Sequence, residues 1–248
     1  MTNGFEPQKV DAKSITQWFK NGLELASRNP LAYLILVSCF AGVSYLPDIL
    51  SSIFIFIMPI LLGAGCIIAD ACNKQTSSLN EVKDKPVVVW LRLLLLGLIP
   101  WAPLMIISLI GTALFGPGEP PHFEKYEGRV AFEGGASILA LMFLWFITMG
   151  YYLWFMVPLI SVAGLSLELA FDQATDALGL NRFVAGLVVL LSFSCFVGMV
   201  WSVLVFPWIA IVTSMMYVSY RHIWFGGSGV SKKVKASVGL AATASNLT

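Results

Sequence analysis

Four stretches of this sequence are nearly free of charge, and each is long enough to cross a lipid bilayer: Leu31–Ala69, Val87–Phe115, Ser137–Gly164 and Phe183–Phe225. A helix needs about 20 apolar residues to traverse a hydrocarbon core of about 30 Å. Charged residues make up 12% of the chain, against about 25% in soluble domains. That is too few to cover a water-exposed surface, so lipid is the expected solvent. The expected fold is all-α, a polytopic membrane helix bundle. A net charge of +1 provides no concentrated basic face and excludes nucleic acid as a partner.

The first and fourth stretches are long enough for two helices each. The first breaks at Tyr45-Leu46-Pro47-Asp48, where proline and aspartate oppose a helix. The fourth is expected to turn near Gly198–Ser202, with Trp201 at the interface. The second and third are single spans, which gives six transmembrane helices arranged as three hairpins. If both termini and the segments Asp70–Pro86 and Ser166–Arg182 share one side, all 15 lysines and arginines except Lys125 and Arg129 fall on it or beside it. The positive-inside rule makes that side cytoplasmic. Met1–Lys13 is polar and carries no signal-peptide core, so the first span is expected to be retained. Residues 1–10 are expected to be disordered, residues 11–225 to form one membrane domain, and residues 226–248 to be a flexible tail.

Amphipathic segments precede the hairpins. In Ser14–Arg28, Ile15, Trp18, Phe19, Gly22, Leu23 and Ala26 form one stripe. Ser14 with Gln17 fits a capping box, and Asn29-Pro30 supplies a stop. In Leu167–Leu178, Leu167, Ala170, Phe171, Ala174 and Leu178 share a face. A shorter version opens at Ser78, with Glu81 three residues on. Trp18, Phe19, Leu23, Leu167 and Phe171 are therefore the expected interfacial residues, touching lipid or capping the bundle. The second span of each pair carries a helix-breaking proline: Pro59, Pro158 and Pro207. The spacing suggests three copies of one unit, at 11–72, 76–165 and 166–225.

Chemistry-bearing residues are scarce. No Asp, Glu, Lys, Arg or His falls near an expected midplane, which argues against ion coupling. The nearest exceptions are Asp70 and Arg92, which would form a gate pair if both entered the bundle. Ser38, Ser108, Thr148, Ser192, Ser194 and Thr213 could line a passive path, but isolated hydroxyls more often bond their own helix. The Gly116–Gly135 stretch reads as a solvated outer loop whose Glu119, His122, Glu124, Glu127 and Glu133 match no ligand spacing. Cys39, Cys66, Cys72 and Cys195 form no C-x-x-C pair and read as small buried hydrophobes. Walker, G-x-S-x-G and H-E-x-x-H patterns are absent. No catalytic residue, metal site or cofactor is expected.

The helix carrying Trp18, Phe19 and Gly22 and ending in Asn29-Pro30, the string Pro59–Gly65 and the closing Tyr217, Tyr220, Arg221, His222, Ile223 and Trp224 resemble a family of uncharacterised multi-pass inner-membrane proteins of proteobacteria. That family is distantly similar to the membrane domain fused to some glycerophosphodiester phosphodiesterases. The resemblance covers about residues 11–225 and brings no catalytic residue. It implies a bacterial inner-membrane protein with both termini cytoplasmic. Membrane lipids or another membrane protein are the expected partners. A passive transporter or channel for a small or lipid-like solute is the rival reading.

Overall fold

The computed structural model describes residues 6–44, 48–99, 123–126, 129–132, 150, 152–199 and 205–226. Its helices are α1 (Ser14–Arg28), α2 (Pro30–Ser44), α3 (Asp48–Lys74), α4 (Ser78–Lys83), α5 (Val87–Leu98), α6 (Tyr152–Ser161), α7 (Leu167–Met199) and α8 (Val205–Phe225). Among the described residues the fold is helical apart from one short hairpin, β1 (Phe123–Tyr126) paired antiparallel with β2 (Arg129–Phe132).

α1 and α2 meet at a bend of 99°. Asn29 leaves helical geometry there, with φ −140° and ψ 72°. Its Oδ1 accepts the Ala32 amide at 3.2 Å, so it caps α2. Pro30 then occupies the first helical position, where its missing N–H is no loss. The stop expected at Asn29-Pro30 is therefore present, and a second helix starts from it at once. The capping box is not formed. Ser14 already lies inside α1, whose N-cap is Lys13 with no side-chain bond. A turn closed by Ser14 N donating to Asp11 O takes its place.

α3 is 27 residues long, about 40 Å at 1.5 Å per residue. It runs unbroken through Pro59. Pro158 lies within α6, and Pro207 is in the first turn of α8. None of the three prolines ends a helix, contrary to expectation. Packing neighbours and a first-turn position accommodate the lost amide. α3 packs against α1, α2, α4, α5 and α8, and lies at the centre of the bundle.

α7 contains a kink at Asn181, with φ −124° and ψ 28°. The amphipathic stretch therefore ends at a corner, as the first one does at Asn29. α2 ends at Ser44 and α3 begins at Asp48, on either side of the first expected turn. α7 ends at Met199 and α8 begins at Val205, around the second.

Part of the N-terminal segment departs from the expected disorder. Gln8 N donates to Ile223 O at 2.8 Å. Val10 N donates to Asn181 Oδ1 at 2.8 Å, and Asn181 Nδ2 donates to Gln8 O at 3.1 Å. Residues 8–10 form a strap joining the α7 corner to the end of α8. Periodicity cannot reveal such a strap, because its partners are far away in sequence. The hairpin lies within the stretch expected as a solvated outer loop, with Tyr126 paired to Arg129.

Among the described residues, α3 carries one stretch, Ile57–Lys74, long and apolar enough to cross a membrane. The bent pair α1 and α2 makes a second if counted as one span. Val87–Leu98 and Tyr152–Ser161 are apolar but shorter.

Candidate functional site

The polar side chains converge on one half of α8. Thr213 meets α3 where Gly65 removes a side chain. A Cβ on Gly65 would lie 2.5 Å from Thr213 Cβ and 2.6 Å from its Oγ1. Beside this contact, the Cys66 thiol points at Thr213 O, at 3.6 Å. Ser214 and Tyr33 of α2 share a hydroxyl bond of 2.6 Å. Tyr217 donates its hydroxyl to Asp70 Oδ1 at 3.0 Å and accepts from Asn73 Nδ2 at 2.9 Å. Trp154 Nε1 of α6 donates to Ser219 Oγ at 2.9 Å. Trp18 Nε1 of α1 donates to His222 Nδ1 at 2.9 Å. Trp224 Nε1 donates to Gln173 Oε1 of α7 at 3.1 Å. Successive α8 residues thus face five different helices, each through a polar contact in an otherwise apolar interior. In such an interior a satisfied bond fixes register, because an unmade one costs the desolvation of both partners.

Asp70 is 5% exposed and ion-paired to Lys74 at 2.6 Å, one turn further along α3. Its carboxylate is held from two sides. Arg92 lies elsewhere: Nη1 donates to Gly164 O at 2.8 Å and Leu165 O at 3.1 Å. Lys85 Nζ reaches Val162 O at 3.4 Å. These cations cap the carbonyl end of α6, where Gly164 turns with φ +73°. Asp70 and Arg92 therefore form no gate pair.

The expected interfacial residues divide into two groups. Trp18 is 1% exposed and docked on α8. Gly22 makes that docking possible, since a Cβ there would lie 3.1 Å from the Met215 backbone nitrogen. Phe19, on the same stripe as Trp18, is 38% exposed and leans on Trp208. Leu23 is 47% exposed. Of the stripe on α1, Trp18 and Gly22 face the core, joined by Leu25 from outside the expected stripe, and the other edge is left outside. On α7, Ala170, Ala174, Ala177 and Asn181 are buried, Leu167 is partly buried, and Phe171 is 48% exposed and stacked on Tyr152. Both amphipathic helices cap the bundle along one edge and present aromatic and aliphatic groups outward along the other.

Of the hydroxyls that could line a path, Ser38 bonds Leu34 O of its own helix, and Thr213 bonds Ile209 O and Ala210 O of its own. Ser108 and Thr148 lie outside the described residues, as do Glu119, His122 and Glu133. No group of three or more His, Cys, Asp or Glu among the described residues is placed to hold a metal ion. Two cavities open at the corners of the amphipathic helices. One of about 650 Å³ lies between strap residues 9–12 and the α7 corner. The other, of about 470 Å³, lies at the end of α1.

Tyr33, Asn73, Gln173 and Asn181 were invisible as functional candidates in the sequence. The one signal available was the density of hydroxyl, indole and imidazole groups within Thr213–Trp224, on every face of a helix that ends an apolar run. No family model, curated protein or solved structure matches this chain.

Proposed function

We propose that this chain is a non-enzymatic integral inner-membrane protein of bacteria that acts by binding lipid or a membrane partner, with six spans and both termini cytoplasmic. One observation carries the reading. Large apolar side chains face outward in rows on several helices: Leu31, Leu34 and Ile35 on α2; Val87, Leu91, Leu95 and Leu98 on α5; Leu180, Phe183, Leu187 and Leu190 on α7. Polar groups such as Asp70, Asn73, Asn181, Thr213, Ser214 and Ser219 meanwhile turn inward and pair. In water each outward residue would forgo up to about 1.5–3 kcal/mol of burial; in hydrocarbon it forgoes nothing.

The helix lengths support a specific depth. α3 exceeds the hydrocarbon core by about 10 Å, roughly seven residues. With the polar Asp70–Lys74 end taken as the overhang, Asp70 and Asn73 lie in the headgroup layer. The Gly65–Thr213 contact lies just inside it, and α1 crosses α8 beside it at Met215. With α1 bent 99° from α2, a membrane-normal α2 lays α1 in the interface. The transporter reading is weaker, because Ser38 and Thr213 return their hydroxyls to their own helices.

The test is topological. Membranes are extracted with alkaline carbonate. Single cysteines at Glu124→Cys and Lys233→Cys, in a chain with its native cysteines replaced, are labelled with an impermeant maleimide. Retention in the membrane and labelling from opposite sides are expected. Release by carbonate, or labelling of both positions from the same side, overturns the six-span reading.

A further inference from the structure

The corner between α1, α3 and α4 holds the cavity of about 470 Å³, lined by Arg28, Asn29, Cys72, Gln75, Thr76 and Ser78. Five of the six are neutral side chains with a hydroxyl, an amide or a thiol, and the sixth is a cation. No carboxylate lines the cavity. Asn29 is locked in place, since Nδ2 donates to Ser78 Oγ at 3.0 Å while Oδ1 caps α2. Thr76 Oγ1 meets Glu81 Oε1 at 3.1 Å.

The unusual group is Arg28. One arm of its guanidinium, Nη2, is paired with Glu24 Oε1 at 2.7 Å. The other arm, Nη1, is enclosed and finds no hydrogen-bond partner among the described residues. A guanidinium nitrogen shut away from water and left unbonded is costly, and it fits an anion with paired oxygens, above all phosphate. Exposed apolar groups lie close in the chain to the lining residues. Leu31 follows immediately on α2, with Leu34 and Ile35 one turn on, and Leu79 stands next to Ser78.

We propose that this corner is a binding site for the headgroup phosphate of an anionic phospholipid, with the Arg28 guanidinium turning into the cavity as its principal donor and the Leu31–Ile35 edge of α2 receiving the acyl chain. The proposal rests on the membrane reading, which puts the end of α3 in the headgroup layer. A free phosphate would use the same donors but would gain nothing from the apolar edge, so the lipid is the occupant the corner fits. Glu24 competes with the ligand for the same guanidinium, and that competition makes the role of Arg28 testable in both directions.

The experiment uses the full chain in neutral detergent, titrated with dihexanoyl phosphatidylglycerol or with inorganic phosphate, and follows the thermal unfolding midpoint. Three proteins are compared: wild type, Arg28→Gln and Glu24→Gln. A saturable upward shift is expected with the lipid and not with inorganic phosphate at equal concentration. Arg28→Gln should weaken lipid binding by at least about tenfold, the worth of a charged hydrogen bond. Glu24→Gln should tighten it by up to about fivefold, because an exposed ion pair no longer holds the guanidinium. Glu24 is exposed and Arg28 only partly so; matching helical content by circular dichroism checks that both variants fold. Unchanged lipid binding in Arg28→Gln overturns the proposal, as does weaker binding in Glu24→Gln. An equal shift from inorganic phosphate reassigns the corner to a free anion and overturns it as well. No shift in wild type, from a chain that carbonate fails to extract, sinks this site alone and leaves the membrane reading standing.

Discussion

Gly65→Ala should break the seam between α3 and α8. The added Cβ would lie 2.5 Å from Thr213 Cβ, 2.6 Å from Oγ1 and 2.7 Å from Cγ2. Carbon atoms pack at about 3.5–4.0 Å, so the helices must part locally by about 1 Å. Thr213 cannot swing aside, because its hydroxyl is tied to Ile209 O and Ala210 O and both its branches lie within the clash. Overpacking of this kind costs about 1–3 kcal/mol. The Tyr217–Asp70 bond, 3.0 Å long in the same seam, would be stretched past the range of a useful hydrogen bond, adding about 1.5–3 kcal/mol for a charged acceptor. Gly63→Ala is the internal control. Its Cβ would meet Leu93 Cδ1 at 2.6 Å, but that atom ends a flexible side chain that can rotate away. The assay is thermal unfolding of the detergent-solubilised protein, followed by tryptophan fluorescence. Gly65→Ala should lower the midpoint by at least about 5 °C and by clearly more than Gly63→Ala. Equal midpoints, or the reverse order, would refute the argument that a backbone-anchored neighbour decides the effect.

Trp18→Phe keeps the ring on α8 but removes the N–H that His222 Nδ1 accepts; about 1 kcal/mol of α1 docking is expected to be lost, read as faster proteolysis at Lys20. Asn181→Ala removes both side-chain bonds to the strap, about 1–3 kcal/mol. Trypsin should then cut at Lys9 and Lys13 sooner than in wild type, while α8 stays protected. Asp70→Asn keeps an oxygen for Tyr217 but makes a buried charged acceptor neutral and removes the ion pair to the half-exposed Lys74, so it should cost about 1–3 kcal/mol. In liposomes loaded with a pH-sensitive dye under an imposed potential, internal pH should not respond to the protein with or without that substitution; a flux that Asp70→Asn abolishes would instead establish a transport path through α3 and α8.

The sequence by itself determined whatever depends on neighbours in the chain. Runs of apolar residues mark the helices, the spacing of Ile15, Trp18, Phe19, Gly22, Leu23 and Ala26 marks a face of α1, and Asn29-Pro30 marks its end. These signals act within a few residues, where periodicity, capping and the missing proline amide operate. What each face meets was decided only in the tertiary structure. Phe19 and Trp18 are adjacent and similar in character, yet one is outside and the other docked, because α8 is narrower than the apolar stripe that covers it. The prolines read as breaks, but packing satisfied the chain around them. Asn181 reads as an ordinary polar residue until the strap arrives from 171 positions away. The candidate site was least legible of all. Its pairs, such as Trp18 with His222 and Asp70 with Tyr217, are 204 and 147 residues apart. A hydrogen bond between distant residues leaves no local periodicity, so only the crossing of α3, α8 and α1 could bring those partners together.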